Sequence, residues 1–316
     1  MTADVLLPAL RAKVRAAVHP AAQACACGTA ASVLADRPDG AVVRHAGTVA
    51  KAHAADTDLP ALAARMAVAA HPALAHVLLP PLGASVAELH GRPVTLWPYG
   101  TPVDRDDPEA APWEEAGTLL AHLHRTPEPV LPPGLPPMRG PAKAARAIAR
   151  LRAAGPHPAA APVLRAWAVL PSWARGEAPM PDTRTLCHGD LHLGQLVRSQ
   201  AGDWLLIDID DLGRGEPAWD LARPAAWFAC GLLPPDEWTR FLTAYRRAAG
   251  PAVPEDGDPW PALDVLARAL TVQTAALAIA KSVAAGRPLD EVETSVIDAC
   301  DRMAAHPPEL AGEYAT

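Results

Sequence analysis

The chain has 316 residues, half of them hydrophobic, with a formal net charge of −7 and five cysteines. That length supports one large domain or two lobes with separate cores. The acidic balance and the lack of any Lys/Arg cluster speak against a nucleic-acid partner, and the odd, scattered cysteines speak against a disulfide framework.

Residues 8–19 interleave apolar and basic side chains and predict a short helix. From Ala31 the period changes. Runs at 32–35, 41–45 and 48–53 predict three short strands, punctuated by Arg37-Pro38-Asp39-Gly40 and Ala46-Gly47. Asp58 is placed to cap a helix over 58–70. Pro60 falls in its first turn, and Leu59, Leu62, Ala63, Met66 and Ala70 recur at helical spacing. Runs at 86–89 and 94–97 predict two more strands, so the first hundred residues read β-β-β-α-β-β. Beyond Gly100 the pattern turns helical, at 112–124, 142–153, 161–168, 220–230, 236–249, 260–284 and 290–305, with a Pro-rich loop over 127–141. The natural division is near Gly100, into an N-terminal lobe (1–100) and a C-terminal lobe (101–316). Residues 1–20 lack the apolar core and cleavage pattern of a signal peptide, and no run of eighteen apolar residues occurs. A cytoplasmic protein with no membrane partner is therefore expected.

The stretch 186–219 reads LCHGDLHLGQLVRSQAGDWLLIDIDDLGRGEPAW and holds two polar islands, the second following a predicted strand at 204–207. Carboxylates placed just after a buried strand cost desolvation energy unless a cation or hydrogen bonds compensate. Asp190, flanked by Gly189 and Gly194, is suited to accept a proton from a hydroxyl. Gln195 offers a neutral oxygen for a hard cation, and Asp208 a carboxylate for the same ion. Asp210 and Asp211 read equally as further ligands or as solvated turn residues. Lys51 alternates with Val49 onto one strand face, where it meets an anion such as a nucleotide phosphate or simply guards a sheet edge. Asp220 is a helix cap, a brace for the polar loop, or both. The pattern His188-Gly-Asp190-Leu-His192 resembles a fragment of a metal-hydrolase site, but no further histidine follows until His306. His188 is therefore expected to orient the Asp190 loop and His192 to pack. Cys25-Ala-Cys27 is the one close cysteine pair; with no second pair to complete a zinc site, reduced thiols are expected. Neither G-x-x-x-x-G-K-[ST] nor G-x-S-x-G occurs.

Three segments together carry a resemblance: His188-Gly-Asp190-Leu-His192-Leu-Gly-Gln195, Leu206-Ile-Asp208-Ile-Asp210-Asp211, and Gly215-Glu-Pro-Ala-Trp-Asp220-Leu-Ala. With Val49-Ala-Lys51 and Leu119-Leu-Ala-His-Leu-His124 in support, the chain resembles the aminoglycoside phosphotransferase / choline kinase-like family, relatives of the protein kinases. The resemblance implies an α+β bilobal protein-kinase-like fold. Its small N-lobe would hold a five-stranded antiparallel sheet plus a helix, and its larger C-lobe would be mainly helical. It further implies ATP and Mg²⁺ as cofactors. Asp190 would be the catalytic base with His188 beside it, Gln195, Asp208 and Asp210 the metal ligands, and Lys51 the partner of the α/β-phosphates. Trp97 and Tyr99 would lie in the segment 97–100 that meets adenine. Three positions depart from the family pattern. Gln195 stands where asparagine is usual, helix 58–70 has no glutamate for Lys51, and the loop 35–41 has a single glycine.

The implied activity is phosphoryl transfer from ATP to a hydroxyl of a small molecule, an aminoglycoside-like antibiotic or an amino sugar. A sugar kinase of the maltokinase-like branch and a catalytically silent nucleotide- or ligand-binding relative are the alternatives. The acceptor pocket is expected among the helices after Asp220. Acidic residues there (Asp236, Glu237, Asp264 and Glu293 among them) would suit a cationic acceptor. The chain is expected to be a monomer or homodimer.

Overall fold

A computed structural model of the chain describes residues 3–20, 27–28, 30–37, 39–181 and 184–305. In chain order its elements are α1 (Ala3–Val18), β1 (Ser32–Arg37), β2 (Gly40–His45), β3 (Thr48–Ala52), α2 (Leu59–Ala69), β4 (Ala87–Leu89), β5 (Arg92–Pro98) and β6 (Thr101–Pro102), then α3 (Trp113–His124), α4 (Gly140–Ala153), α5 (Ala160–Ala168), β7 (Thr185–Cys187), β8 (Leu196–Arg198), β9 (Trp204–Leu206) and β10 (Gly213–Gly215), and finally α6 (Ala218–Ala229), α7 (Pro235–Arg247), α8 (Trp260–Ala285) and α9 (Glu291–Ala305). Two compact units form. The first holds Met1–Ala111, Pro129–Pro136 and Gly194–Asp210; the second holds Pro112–Glu128, Pro137–Leu193 and Asp211–Thr316.

In the first unit, a five-stranded antiparallel sheet runs in the order β1-β2-β3-β5-β4. Alternation decides its faces. On β2, Ala41, Val43 and His45 are buried while the residues between them are partly exposed. Helix α1 covers that face through Leu6, Leu10 and Val14, four residues apart on one stripe, which pack with Ala41, Val43, Ala50, Ala52 and Val94. Each buried leucine or valine among them contributes roughly 1.5–3 kcal/mol of transfer energy. The helix expected over 8–19 thus starts earlier than its pattern suggests and carries Pro8 inside it. Within the segment 35–41, Ala35, Asp36 and Arg37 pair with Val42, Ala41 and Gly40. Pro38, which belongs to that expected turn, lies outside the described residues, as does Cys25. Asp58 caps α2 as expected, accepting the Ala61 N–H at 3.0 Å. A second, three-stranded sheet runs β6-β8-β9. It is tied to residues 77–79 by hydrogen bonds from Leu206 N–H to Val77 O and from Leu79 N–H to Leu206 O. Residues 194–210 therefore belong to the first unit although they lie far beyond Gly100 in the chain.

The second unit is mainly helical. Helix α3 packs on α7, and Gly117 permits the close approach, since a Cβ there would lie 2.3 Å from the Phe241 carbonyl oxygen. Helix α8 is long and apolar enough to cross a membrane by length and composition alone, yet 67% of its apolar window is buried inside the protein. It is the core helix of this unit, packed by α4, α6, α5 and α9. Strands β7 and β10 pair antiparallel on either side of the chain's most polar stretch.

Candidate active site

The residues singled out in the sequence fall into two clusters, one in each unit. In the first unit, strand β3 carries Lys51 and the segment after β9 carries Asp208 and Asp210. The Lys51 Nζ lies 2.7 Å from Asp208 Oδ1 and 2.9 Å from Asp210 Oδ2. Burial works against the Lys51 charge, but Asp208 and Asp210 outweigh it and raise the ammonium above its ordinary value. Asp210 is held as a carboxylate by the same logic. Burial opposes its charge, and Lys51 and His53 bring its carboxyl well below the usual range. Asp208 adopts φ 64°, a left-handed conformation costing about 1 kcal/mol or more in a residue with a side chain. That backbone turn brings its carboxylate to Lys51. The Gln195 amide nitrogen sits 3.3 Å from Asp208 Oδ2. Of the sequence-predicted set, Lys51, Gln195, Asp208 and Asp210 therefore come together.

A hydrogen-bonded chain extends this cluster. The Trp97 indole N–H donates to Thr95 Oγ1 at 2.8 Å, and Thr95 Oγ1 is 2.9 Å from His53 Nε2. The His53 Nδ1 lies 3.1 Å from Asp210 Oδ1. With the Thr95 hydroxyl hydrogen turned to Nε2, the His53 Nδ1–H is left on the side of Asp210. Sequence reasoning missed His53 and Thr95. Strand register was the available signal, because Lys51 faces Thr95 across the β3–β5 pair. Tyr99 is engaged differently. Its backbone N–H donates to Gly47 O at 2.8 Å, and the Arg44 guanidinium stacks 3.4 Å over its ring.

In the second unit, Asp190 follows β7. Its carboxylate is gripped from both sides, by Arg223 of α6 at 2.6 Å on Oδ1 and by Lys143 of α4 at 2.7 Å on Oδ2. Lys143 bridges to Asp211 at 2.7 Å, and Arg139 approaches Asp211 at 3.5 Å. Burial acts to raise the Asp190 carboxyl, but Lys143 and Arg223 prevail and hold it below the ordinary value. Lys143 in turn is raised, Asp211 and Asp190 outweighing its burial. Nothing in an Ala/Arg-rich helix pattern marks Lys143 out, so its role was not legible in the sequence. Gly189 is obligatory: it sits at φ 83°, and a Cβ there would lie 2.4 Å from the Asp211 carbonyl oxygen.

Asp220 braces this loop from beneath. It lies inside α6, whose N-cap is Pro217, so the capping role read from the sequence does not hold. Its carboxylate instead accepts the backbone N–H of His188 at 2.6 Å and of Gly189 at 2.7 Å. His124 Nε2 sits 3.0 Å from the same carboxylate, and His124 Nδ1 is 2.8 Å from the Tyr245 hydroxyl, which accepts the Ala252 N–H at 2.9 Å. All of these groups are buried. The His188 imidazole is wholly buried too, so what His188 visibly supplies to the loop is its backbone N–H. Three of the acidic residues expected to line an acceptor pocket are engaged by neighbouring side chains. Glu237 accepts from Trp113, Asp264 pairs with Arg268, and Glu293 pairs with Arg287.

The sequence matches the model of the phosphotransferase enzyme family, APH, over residues 30–264. The chain belongs to that family, and its fold is the kinase-like fold of its members. No curated protein sequence matches it. Solved structures do, across nearly the whole chain. A choline/ethanolamine kinase family protein from Mesorhizobium loti shares 16% identity at a TM-score of 0.56, covering 97% of this chain and 96% of that one. The aminoglycoside phosphotransferase APH(4)-Ia shares 15% at 0.59, covering 96% and 99%. Spectinomycin phosphotransferase APH(9)-Ia, solved with ADP and spectinomycin, shares 13% at 0.57, covering 87% and 89%. At these identities the likeness establishes the fold.

Proposed function

We propose that the protein transfers the γ-phosphoryl group of ATP, with Mg²⁺, to a hydroxyl of a small molecule. The observation that carries this reading is the pair of charge clusters, each built from carboxylates paired with a lysine. Asp208 and the Gln195 amide oxygen form a hard-oxygen donor set that fits Mg²⁺, which would neutralise phosphate charge when bound. Lys51 supplies a fixed cation for phosphate oxygens. Asp210, read from the sequence as a third metal ligand, is assigned here to holding Lys51. With His53 behind it, it takes the part that a helix glutamate plays in the family pattern.

Asp190 is assigned as the residue that accepts the acceptor hydroxyl's hydrogen. Its lowered proton affinity makes it a weak base. This suits phosphoryl transfer, in which the nucleophile needs orientation more than early deprotonation. A hydroxyl hydrogen-bonded to Asp190 is aimed before its proton leaves. Lys143, shared between Asp190 and Asp211, offsets charge on the transferred group. A silent nucleotide-binding relative would have no use for this second cluster.

The acceptor is a hydroxylated small molecule, with aminoglycoside-like compounds and amino sugars the first class to test. A neutral sugar, as in the maltokinase-like branch, is favoured by one specific observation. Arg139, Lys143 and Arg223 outnumber Asp190 and Asp211 in their cluster, which disfavours an ammonium group beside the reacting hydroxyl. An ADP-release screen over aminoglycosides, amino sugars, neutral sugars, choline-like alcohols and macrolides tests the reading. At least one acceptor should stimulate turnover, and Asp190→Asn should lower that rate by roughly 10²–10⁴-fold. Turnover unaffected by Asp190→Asn, or none over the whole panel, overturns it.

A further inference from the structure

The first unit holds a second cluster that phosphoryl transfer does not use. Helix α1 ends at Val18, and His19 continues it, its N–H bonded to Arg15 O at 2.8 Å. His45 closes strand β2 and is 1% exposed. It stands where alternation after Ala41 and Val43 calls for an apolar side chain on the face beneath α1. A buried imidazole there costs several kcal/mol unless its nitrogens find partners, roughly 2–7 by transfer measures. The partners come from both sides. Cys27 Sγ lies 3.2 Å from His45 Nε2, and the His19 ring meets the His45 ring edge-on, centroids 5.5 Å apart at 69°. One donor atom from each of His19, Cys27 and His45 lies within 4.8 Å of the other two.

We propose that His19, Cys27 and His45 bind one zinc ion. A tetrahedral zinc with a thiolate and two imidazoles places its donor atoms about 3.3–3.6 Å apart, given Zn–S and Zn–N bonds of ~2.3 and ~2.0–2.1 Å. The Cys27–His45 pair, at 3.2 Å, lies slightly inside that spacing, and a donor atom of the half-buried His19 lies within 4.8 Å of both. One thiolate and two neutral imidazoles suit zinc, whereas magnesium and calcium need hard oxygens. A single Cys–His hydrogen bond accounts for two of the three side chains; the convergence of His19 on both is what an ion would require. Binding expels the Cys27 thiol proton to solvent and leaves one coordination position for water. The ion ties the end of α1 to the β2–β3 turn and pins the helix over the sheet. The motif was invisible in the sequence because its ligands are widely spaced and fall outside any CxxC-type pattern. The proposal is independent of the phosphotransfer reading.

The test uses the untagged full-length chain. After dialysis against zinc and removal of excess, elemental analysis should find about one zinc per chain, and cobalt substitution should give the near-ultraviolet thiolate-to-metal band and visible bands of a tetrahedral site. Cys27 is exposed, so Cys27→Ser should keep the fold, checked by circular dichroism. It should lose the thiolate band and lower zinc content about tenfold. His19→Ala should keep the band but weaken binding to a similar extent. Absence of stoichiometric zinc in the wild type, or a thiolate band surviving Cys27→Ser, overturns the assignment.

Discussion

Asp220→Asn is the sharpest probe of how the Asp190 loop is held. In the wild type Oδ2 accepts from His188 N and His124 Nε2, and Oδ1 accepts from Gly189 N. The amide has one acceptor oxygen. If that oxygen replaces Oδ2, its NH₂ group faces the Gly189 N–H, and two buried donors oppose each other. If it replaces Oδ1, the His188 N–H is left facing an NH₂ group. In the first case one charge-assisted hydrogen bond is lost, in the second two (His188 N and His124 Nε2), and the remaining bonds become neutral. Charge-assisted bonds contribute roughly 1.5–3 kcal/mol against about 1 for neutral ones, and an orphaned donor adds a comparable penalty, so the expected cost is about 2–4 kcal/mol. For a unit of this size that corresponds to a fall of roughly 5–15 °C in Tm. Urea unfolding followed by tryptophan fluorescence, with Trp219 next to the mutated residue, reads it directly. A loss below about 0.5 kcal/mol, within the range of an ordinary surface change, would refute the account of Asp220 as the brace.

Two further outcomes are expected. Lys143→Met removes a cation that keeps Asp190 ionised, so the Asp190 carboxyl should take up its proton at higher pH. The acid limb of the kcat/KM profile should then move toward neutrality, as should the carboxyl ¹³C titration of Asp190, and a limb that stays in place counts against the Lys143–Asp190 coupling. In the metal-free protein, Cys27 should react with a thiol reagent at pH 8 well before Cys187 and Cys300. Burial pushes the Cys300 thiol up to about 12, and it raises the Cys187 thiol well above its ordinary value. Peptide mapping showing Cys300 labelled as fast as Cys27 would contradict that burial.

Periodicity explains what the sequence decided by itself. Strand alternation over residues 41–52 and the Asp58 cap are local properties, set by backbone geometry within a few residues, and they were legible without a fold. So was the concentration of chemistry in 186–219, because polar residues that interrupt apolar strands stand out in any register. Partnership was not legible, since ion pairs and hydrogen bonds depend on distance in space. The Lys51 ammonium meets Asp208 across 157 residues of chain. Lys143 looks like any exposed helix lysine until α4 brings it to the carboxylates of Asp190 and Asp211. His19, Cys27 and His45 are separate residues until α1 lies on the sheet. Asp220 read from the sequence as a cap, a brace or both, and packing decided for the brace, because two backbone N–H groups of the Asp190 loop were buried against it and needed an acceptor.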